Sequence, residues 1–235
     1  QYLDADDLLA ADKIEHQLMR LKQESETSVA SGPFDYFIDD PAETLQKTDH
    51  GYHDYENPID WLVEAAYKND MFPPLVWLTP RYLIDQAGPW NEALSYNDDP
   101  EFFARVLLNA DKIAYCADAK SYYRRGIDAS LGSRKDEQAL ESQLASLELV
   151  TEHLLQKEDS QRMREACAYA FSKYMYSLYP RYPQFRKRAQ NALDQLGIKP
   201  EYNFSNNTSA SLDKILGWKT TKWLKHFYNK IQFVS

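Results

Sequence analysis

Apolar residues recur at three- and four-residue spacing along most of this chain, which predicts a protein rich in helix with a few short strands. Ile14, Leu18 and Leu21 mark a helix over Lys13 to Leu21, and Pro58 opens another that carries Trp61, Leu62, Ala65 and Ala66. Pro80 starts a short helix that Gly88 closes, and Pro100 opens one with Phe103, Val106, Leu107 and Ala110 on one face. Short apolar runs at Phe34 to Ile38, Leu75 to Leu78, Lys112 to Cys116 and Ser121 to Arg124 read as strands, and Tyr2-Leu3 reads as the end of a buried strand. Residues 24–33, 39–57 and 90–99 read as loops. After residue 134 the pattern becomes purely helical. Leu140, Leu144, Leu147 and Leu154 form one stripe, Met163, Cys167, Ala170, Tyr174 and Leu178 a second, and Phe185, Ala189, Ala192 and Leu196 a third, ended by Gly197. The expected organisation is an α/β domain over 1–133, a helical region over 134–200, a linker over 201–211 and a basic amphipathic tail helix over 212–235.

Composition removes several classes. The chain has 235 residues, enough to bury roughly 70% of its unfolded surface around one good core. Its 7 glycines never stand two apart, nor five apart before Lys, so neither a GxGxxG dinucleotide turn nor a Walker-type phosphate loop is present. Cys116 and Cys167 form no CxxC pair, which fits two reduced thiols in a cytosolic compartment. No run of about 18 apolar residues exists. The net charge of -9 argues against nucleic acid as a partner. That charge is uneven: residues 212–235 hold five lysines and one acid, Asp213, so the tail carries +4 and the remainder -13. Ile215, Leu216, Trp218, Trp223, Leu224, Phe227, Tyr228 and Ile231 are interleaved with those lysines. The pattern fits either an interfacial helix on anionic lipid or a helix docked on the body with its lysines in water.

Two acidic groups carry candidate chemistry. Asp4 and Asp6 alternate, so an extended segment would put both carboxylates on one side, where they could hold a hard divalent cation with diphosphate oxygens. The plainer reading is that Asp6 or Asp7 caps the following helix. Asp98 and Asp99 stand where a helix begins, either as reactive acids or as acids favoured by the helix dipole. Arg124 and Arg125 could meet phosphate or sugar oxygens, and Trp77 and Trp90 could stack on a sugar or on the core. The segment Asp49-His50-Gly51-Tyr52-His53-Asp54-Tyr55-Glu56 is open to three readings: a structural metal site, an acceptor-contacting loop or a solvated loop.

Taken in order, Tyr2-Leu3-Asp4-Ala5-Asp6-Asp7, Leu78-Thr79-Pro80-Arg81 to Ala87-Gly88-Pro89-Trp90-Asn91-Glu92, Asn97-Asp98-Asp99-Pro100 through Leu108, Ile113-Ala114-Tyr115 and Tyr122-Tyr123-Arg124 resemble glycosyltransferase family 2, which has the GT-A fold. The likeness covers about residues 1–130. It implies the acceptor-side half of a GT-A catalytic domain, with the nucleotide-binding half lying before Gln1, so that residues 1–235 alone are expected to be inactive. It implies inverting transfer of a sugar from a nucleotide-diphospho-sugar to a glycan or lipid-linked acceptor in cell-envelope polysaccharide synthesis. Mg²⁺ or Mn²⁺ would be held by Asp4 and Asp6, with Asp4 also facing the donor. Asp99 would be the general base, with Asp98, Trp90 and Arg124 contacting substrates. The Gln-x-x-Arg-Trp signature of processive synthases is absent, which favours single additions. The expected location is the cytoplasm, peripheral on the inner face of the membrane through the tail. Two other classes remain open on the residues alone: a non-catalytic helical interaction module and a metal-dependent hydrolase.

Overall fold

The computed structural model describes residues 1–46, 51–68, 72–126, 134, 136–200, 202–204 and 207–232. The protein is mixed α/β, 54% helical with a small mixed sheet, and it divides into two compact units, Gln1–Glu158 and Asp159–Ser235.

In the first unit, β1 (Leu8–Leu9), β6 (Ser121–Arg124), β3 (Phe34–Phe37) and β4 (Leu45–Gln46) form one sheet in the order β1-β6-β3-β4. The central pair β3 and β6 is parallel, with Phe34 opposite Ser121 and Phe37 opposite Arg124, and both outer pairings are antiparallel. A second, parallel pair joins β2 (Ser28–Ser31) to β5 (Lys112–Tyr115). Around them lie α1 (Lys13–Leu21), α2 (Pro58–Lys68), α3 (Arg81–Ala87), α4 (Asp98–Leu108) and α5 (Glu137–Lys157). The core is aromatic: Trp61 meets Phe72 and Trp77 edge-on at 4.9 and 5.3 Å, and Trp77 stacks on Phe103 at 5.8 Å. Offset and edge-on ring pairs add to the burial of large apolar surface. Trp77, 2% exposed, is therefore a core residue.

Three local readings change. Residues 24–33 are not all loop, because Ser28–Ser31 forms a strand buried along its whole length. Small Ser and Ala side chains, read as loop composition, are what lets the strand lie inside. Next to it, a Cβ on Gly32 would stand 2.3 Å from the Ala119 carbonyl oxygen, so the chain passes there only as glycine. Leu75 to Leu78 is not a strand: Pro74–Val76 turns as a 3₁₀ segment, as a proline at its start favours, and Leu78 alone bridges to Ala30. Tyr2-Leu3 is neither strand nor buried; both side chains are at least a third exposed, and β1 begins only at Leu8.

The second unit pairs α6 (Gln161–Leu178) with α7 (Pro183–Leu196) through Met163, Cys167, Phe171 and Tyr174 on one helix and Phe185, Ala189 and Leu193 on the other. Ser160 caps α6 by accepting from the Met163 amide, and Gly197 ends α7 in the left-handed region at φ 70°. Two further helices follow, α8 (Asn207–Leu216) and α9 (Trp218–Gln232). The stretch read as a linker over 201–211 is thus helical from Asn207. The helix α5, read with the C-terminal helices, packs with α4 inside the first unit.

Candidate functional site

The acidic segment is a turn. The Asp7 amide donates to the Asp4 carbonyl at 3.2 Å, so Asp4 and Asp6 do not alternate along an extended strand. Neither Asp6 nor Asp7 caps α1, whose N-cap is Asp12. Asp4 and Asp6 are exposed at the turn, whereas Asp7 is 5% exposed. One Asp7 oxygen, Oδ1, accepts from the Arg124 amide at 2.9 Å, and the other, Oδ2, is buried with no hydrogen-bond partner among the described residues. Burial pushes the Asp7 carboxyl up to about 6, opposed by the Arg124 amide and reinforced by Asp4 and Asp6. Although its side chain reaches solvent, the Asp4 carboxyl is also raised, first by partial desolvation in the turn, then by Asp6 and Asp98.

The second acidic pair opens α4. Asn97 precedes it in the left-handed region at φ 60°, and Asp98 and Asp99 occupy the first turn. Helix dipoles favour acids at such a position, yet the Asp99 carboxyl is pushed up to about 7, first by burial, then by Asp98 and Asp4. Tyr123 on β6 senses both groups: burial, then Asp7, Asp4, Asp6 and Asp99, hold its hydroxyl above the usual value. Two acidic segments some ninety residues apart thus share one electrostatic neighbourhood: Asp4 feels Asp98 and Asp99, and Tyr123 feels Asp4, Asp6, Asp7 and Asp99.

Arg124 is the tie that holds the turn to this strand. Its Nε donates to the Asp6 carbonyl at 3.1 Å and Nη1 to the Ile38 carbonyl at 2.8 Å, while the guanidinium lies 4.5 Å above the Phe37 ring. Arg125 lies 3.5 Å above Tyr36. Trp90 stacks flat on Phe102 at 4.0 Å, so one of its faces is occupied by the protein, and Tyr2 meets it edge-on at 5.5 Å.

Beneath the pair, two clamps fix the start of α4. Ser142 of α5 accepts from the amides of Ser95 and Tyr96, each at 3.0 Å, and donates to the Tyr96 carbonyl at 2.7 Å. Asn97 Nδ2 donates to Ser146 at 3.3 Å. The second clamp is an ion pair. Glu101, 3% exposed, accepts from Arg105 Nε and Nη2 at 2.7 and 2.9 Å and from His153 at 3.1 Å. Arg105 also donates to the carbonyls of Ala87 and Pro89, which fixes the approach to Trp90. Burial raises the Glu101 carboxyl, but Arg105 and His153 prevail and leave it below the usual range.

Sequence spacing missed Asp7, Ser142 and the Glu101–Arg105–His153 group. No local pattern marked Ser142. In the His- and Asp-rich segment, His50 lies outside the described residues. His53 stacks on Tyr55 at 4.2 Å and donates to the Asp54 carbonyl, while Asp54 accepts from Arg20 and from the Tyr115 amide.

Among the described residues no three His, Cys, Asp or Glu side chains form a cage for a metal ion. Mg²⁺ commonly takes one or two carboxylates and completes its shell with water and substrate phosphates. Two exposed carboxylates in one turn, backed by a buried oxygen without a donor, suit that mode of binding. No helix among the described residues is long and apolar enough to cross a membrane. A scan against protein-family models gave no match, and a search of curated proteins returned no relative.

Proposed function

We propose that this chain is the acceptor-side catalytic portion of an inverting glycosyltransferase with a GT-A domain, moving one sugar from a nucleotide-diphospho-sugar to a glycan or lipid-linked acceptor. The observation that carries the reading is the meeting of the Asp4–Asp7 turn with the Asp98–Asp99 pair, with the Asp99 carboxyl poised near 7. Inverting transfer needs a base on the acceptor side and a separate group of acids on the leaving-group side. Asp99 takes the proton of the acceptor hydroxyl as its oxygen bonds to the anomeric carbon. The sugar–phosphate bond breaks on the opposite face, and its electron pair leaves with the diphosphate. A base with a pKa near the working pH combines a useful ionised fraction with a real pull on the proton. Asp4 and Asp6 would hold Mg²⁺ or Mn²⁺, which offsets the charge of the diphosphate. Asp7 and Arg124 keep the turn in place, and Asp98 and Trp90 border the acceptor.

The test is a thermal-shift panel of nucleoside diphosphates with and without Mn²⁺, on the protein joined to the nucleotide-binding half that the reading requires. A ligand bound only by the folded state at about 100 times its Kd stabilises by ~2.7 kcal/mol. The expected result is a shift that needs both Mn²⁺ and diphosphate. Hydrolysis of simple phosphate esters without sugar transfer would move the assignment to a metal-dependent hydrolase.

A further inference from the structure

In the second unit the helix α9 has two dissimilar faces. One is docked: Trp218 stacks on Tyr202 at 4.3 Å and meets Tyr176 and Tyr179, and Thr221 is 2% exposed. Lys222 donates to the Tyr176 carbonyl at 2.6 Å and lies 4.0 Å over that ring. At about 100° per residue, Trp223, Leu224 and Phe227 fall on the side opposite Trp218. All three are close to half exposed, and Trp223 and Phe227 stack in parallel at 5.4 Å. The neighbouring α8 adds Leu212, Leu216 and Ile215, the last 79% exposed. Exposed apolar patches bordered by charge mark interaction surfaces.

We propose that this outward face of α8 and α9 lies in the interface of an anionic lipid bilayer, with Trp223, Leu224 and Phe227 inserted and Trp218 kept on the protein side. Charge selects the occupant. Residues 212–235 carry +4, while the rest of the chain carries -13. Residues 159–211 of the same unit carry a further +4, so an anionic surface attracts this segment together with the helices on which it is docked. Lys219 sits between the docked and outward faces, where its long stem can reach headgroups. Aromatic and aliphatic side chains opposite a docked face, with lysines beside them, match a helix lying in the plane of the membrane surface. The inference stands apart from the transferase reading, because none of these residues belongs to the acidic site.

The full chain should sediment with phosphatidylcholine vesicles containing phosphatidylglycerol and much less with pure phosphatidylcholine. Lys219→Gln should weaken binding roughly five-fold, the effect of one cation near an anionic surface. Phe227→Ser should abolish binding at an unchanged melting temperature, because the side chain is exposed. Brominated lipid should quench tryptophan fluorescence in the wild type, and Trp223→Phe should lose most of that quenching while still binding. Equal sedimentation with both vesicle types, or quenching retained in Trp223→Phe, would overturn the proposal. So would a dimer in light scattering that Phe227→Ser dissolves, without vesicle binding, since a second copy would then cover the face.

Discussion

Replacing Asp99 by Asn should make the folded chain more stable and, if the proposed transfer is its reaction, nearly abolish turnover. The Asp99 carboxyl ionises near 3.8 in an unfolded chain and near 7 in the folded one, where burial, Asp98 and Asp4 oppose its charge. The folded state therefore binds this proton more tightly. Its stabilising effect is complete below about pH 4 and is lost as pH rises through about 7. Each pKa unit corresponds to ~1.4 kcal/mol, which sets a ceiling of ~4 kcal/mol. Asp99 is only partly buried, and solvent screening reduces the effect to about 2 kcal/mol. Asn has nearly the same shape and nothing to ionise. Asp99→Asn should then match the wild type under acid conditions and melt higher above neutrality, by about 5 °C for a chain of this size. Circular dichroism melts across the pH range measure this directly. In a transferase assay on the protein joined to the nucleotide-binding half, the same variant should lose about 10²- to 10⁴-fold in turnover with donor binding retained, and turnover without the substitution should rise with pH through about 7. Asp98→Asn is the control and should be milder. An Asp99→Asn protein that melts at or below the wild type at high pH would refute the electrostatic reasoning. Full activity in both variants would remove the base from the mechanism.

The remaining predictions address other parts of the first unit. Asp6→Asn should eliminate the Mn²⁺-dependent thermal shift with nucleoside diphosphates, and an unchanged shift would take the metal away from the turn. Arg105→Met should destabilise by about 3 kcal/mol in urea unfolding, because it leaves the buried Glu101 carboxylate with His153 as its one remaining partner of those described. That loss should be largest well above the ordinary glutamate pKa and shrink as acid protonates Glu101; a loss independent of pH would show that packing, not charge, matters there. Ser142→Ala should cost about 2 kcal/mol by leaving the Ser95 and Tyr96 amides without their acceptor, and amide exchange at those two residues should speed up.

Where local chemistry decides structure, the residues revealed it. Ser121–Arg124 is a strand as its short run around two adjacent tyrosines suggests, Pro58 begins α2, and Gly88 and Gly197 end α3 and α7. Where packing decides, they did not. Ser28–Ser31 has the composition of a loop and becomes a buried strand only because β5 lies beside it. Leu75 to Leu78 has the composition of a strand, but its leading proline and the surrounding aromatic rings turn it into a tight bend. The acids at 4, 6, 98 and 99 were legible as candidates, although the alternation argument for Asp4 and Asp6 fails in a turn. Their convergence depends on long-range pairing, since β1 must meet β6 before Asp7 can reach the Arg124 amide. The burial that raises Asp99 arises from that assembly and has no counterpart in residue spacing.

The hydroxyl of Ser142 has a consequence for how this sequence can drift. It serves three backbone groups of residues 95 and 96 from a helix nearly fifty positions away. A lineage that loses the hydroxyl must find another acceptor for both amides, either a new side chain nearby or a shorter loop that no longer presents them. Changes at 142 should therefore travel with insertions, deletions or prolines at 95–97, while the solvent-facing positions of the same helix vary freely. Among descendants of this chain, that paired variation would mark position 142 as part of the acidic site's inheritance, even though its side chain carries no charge.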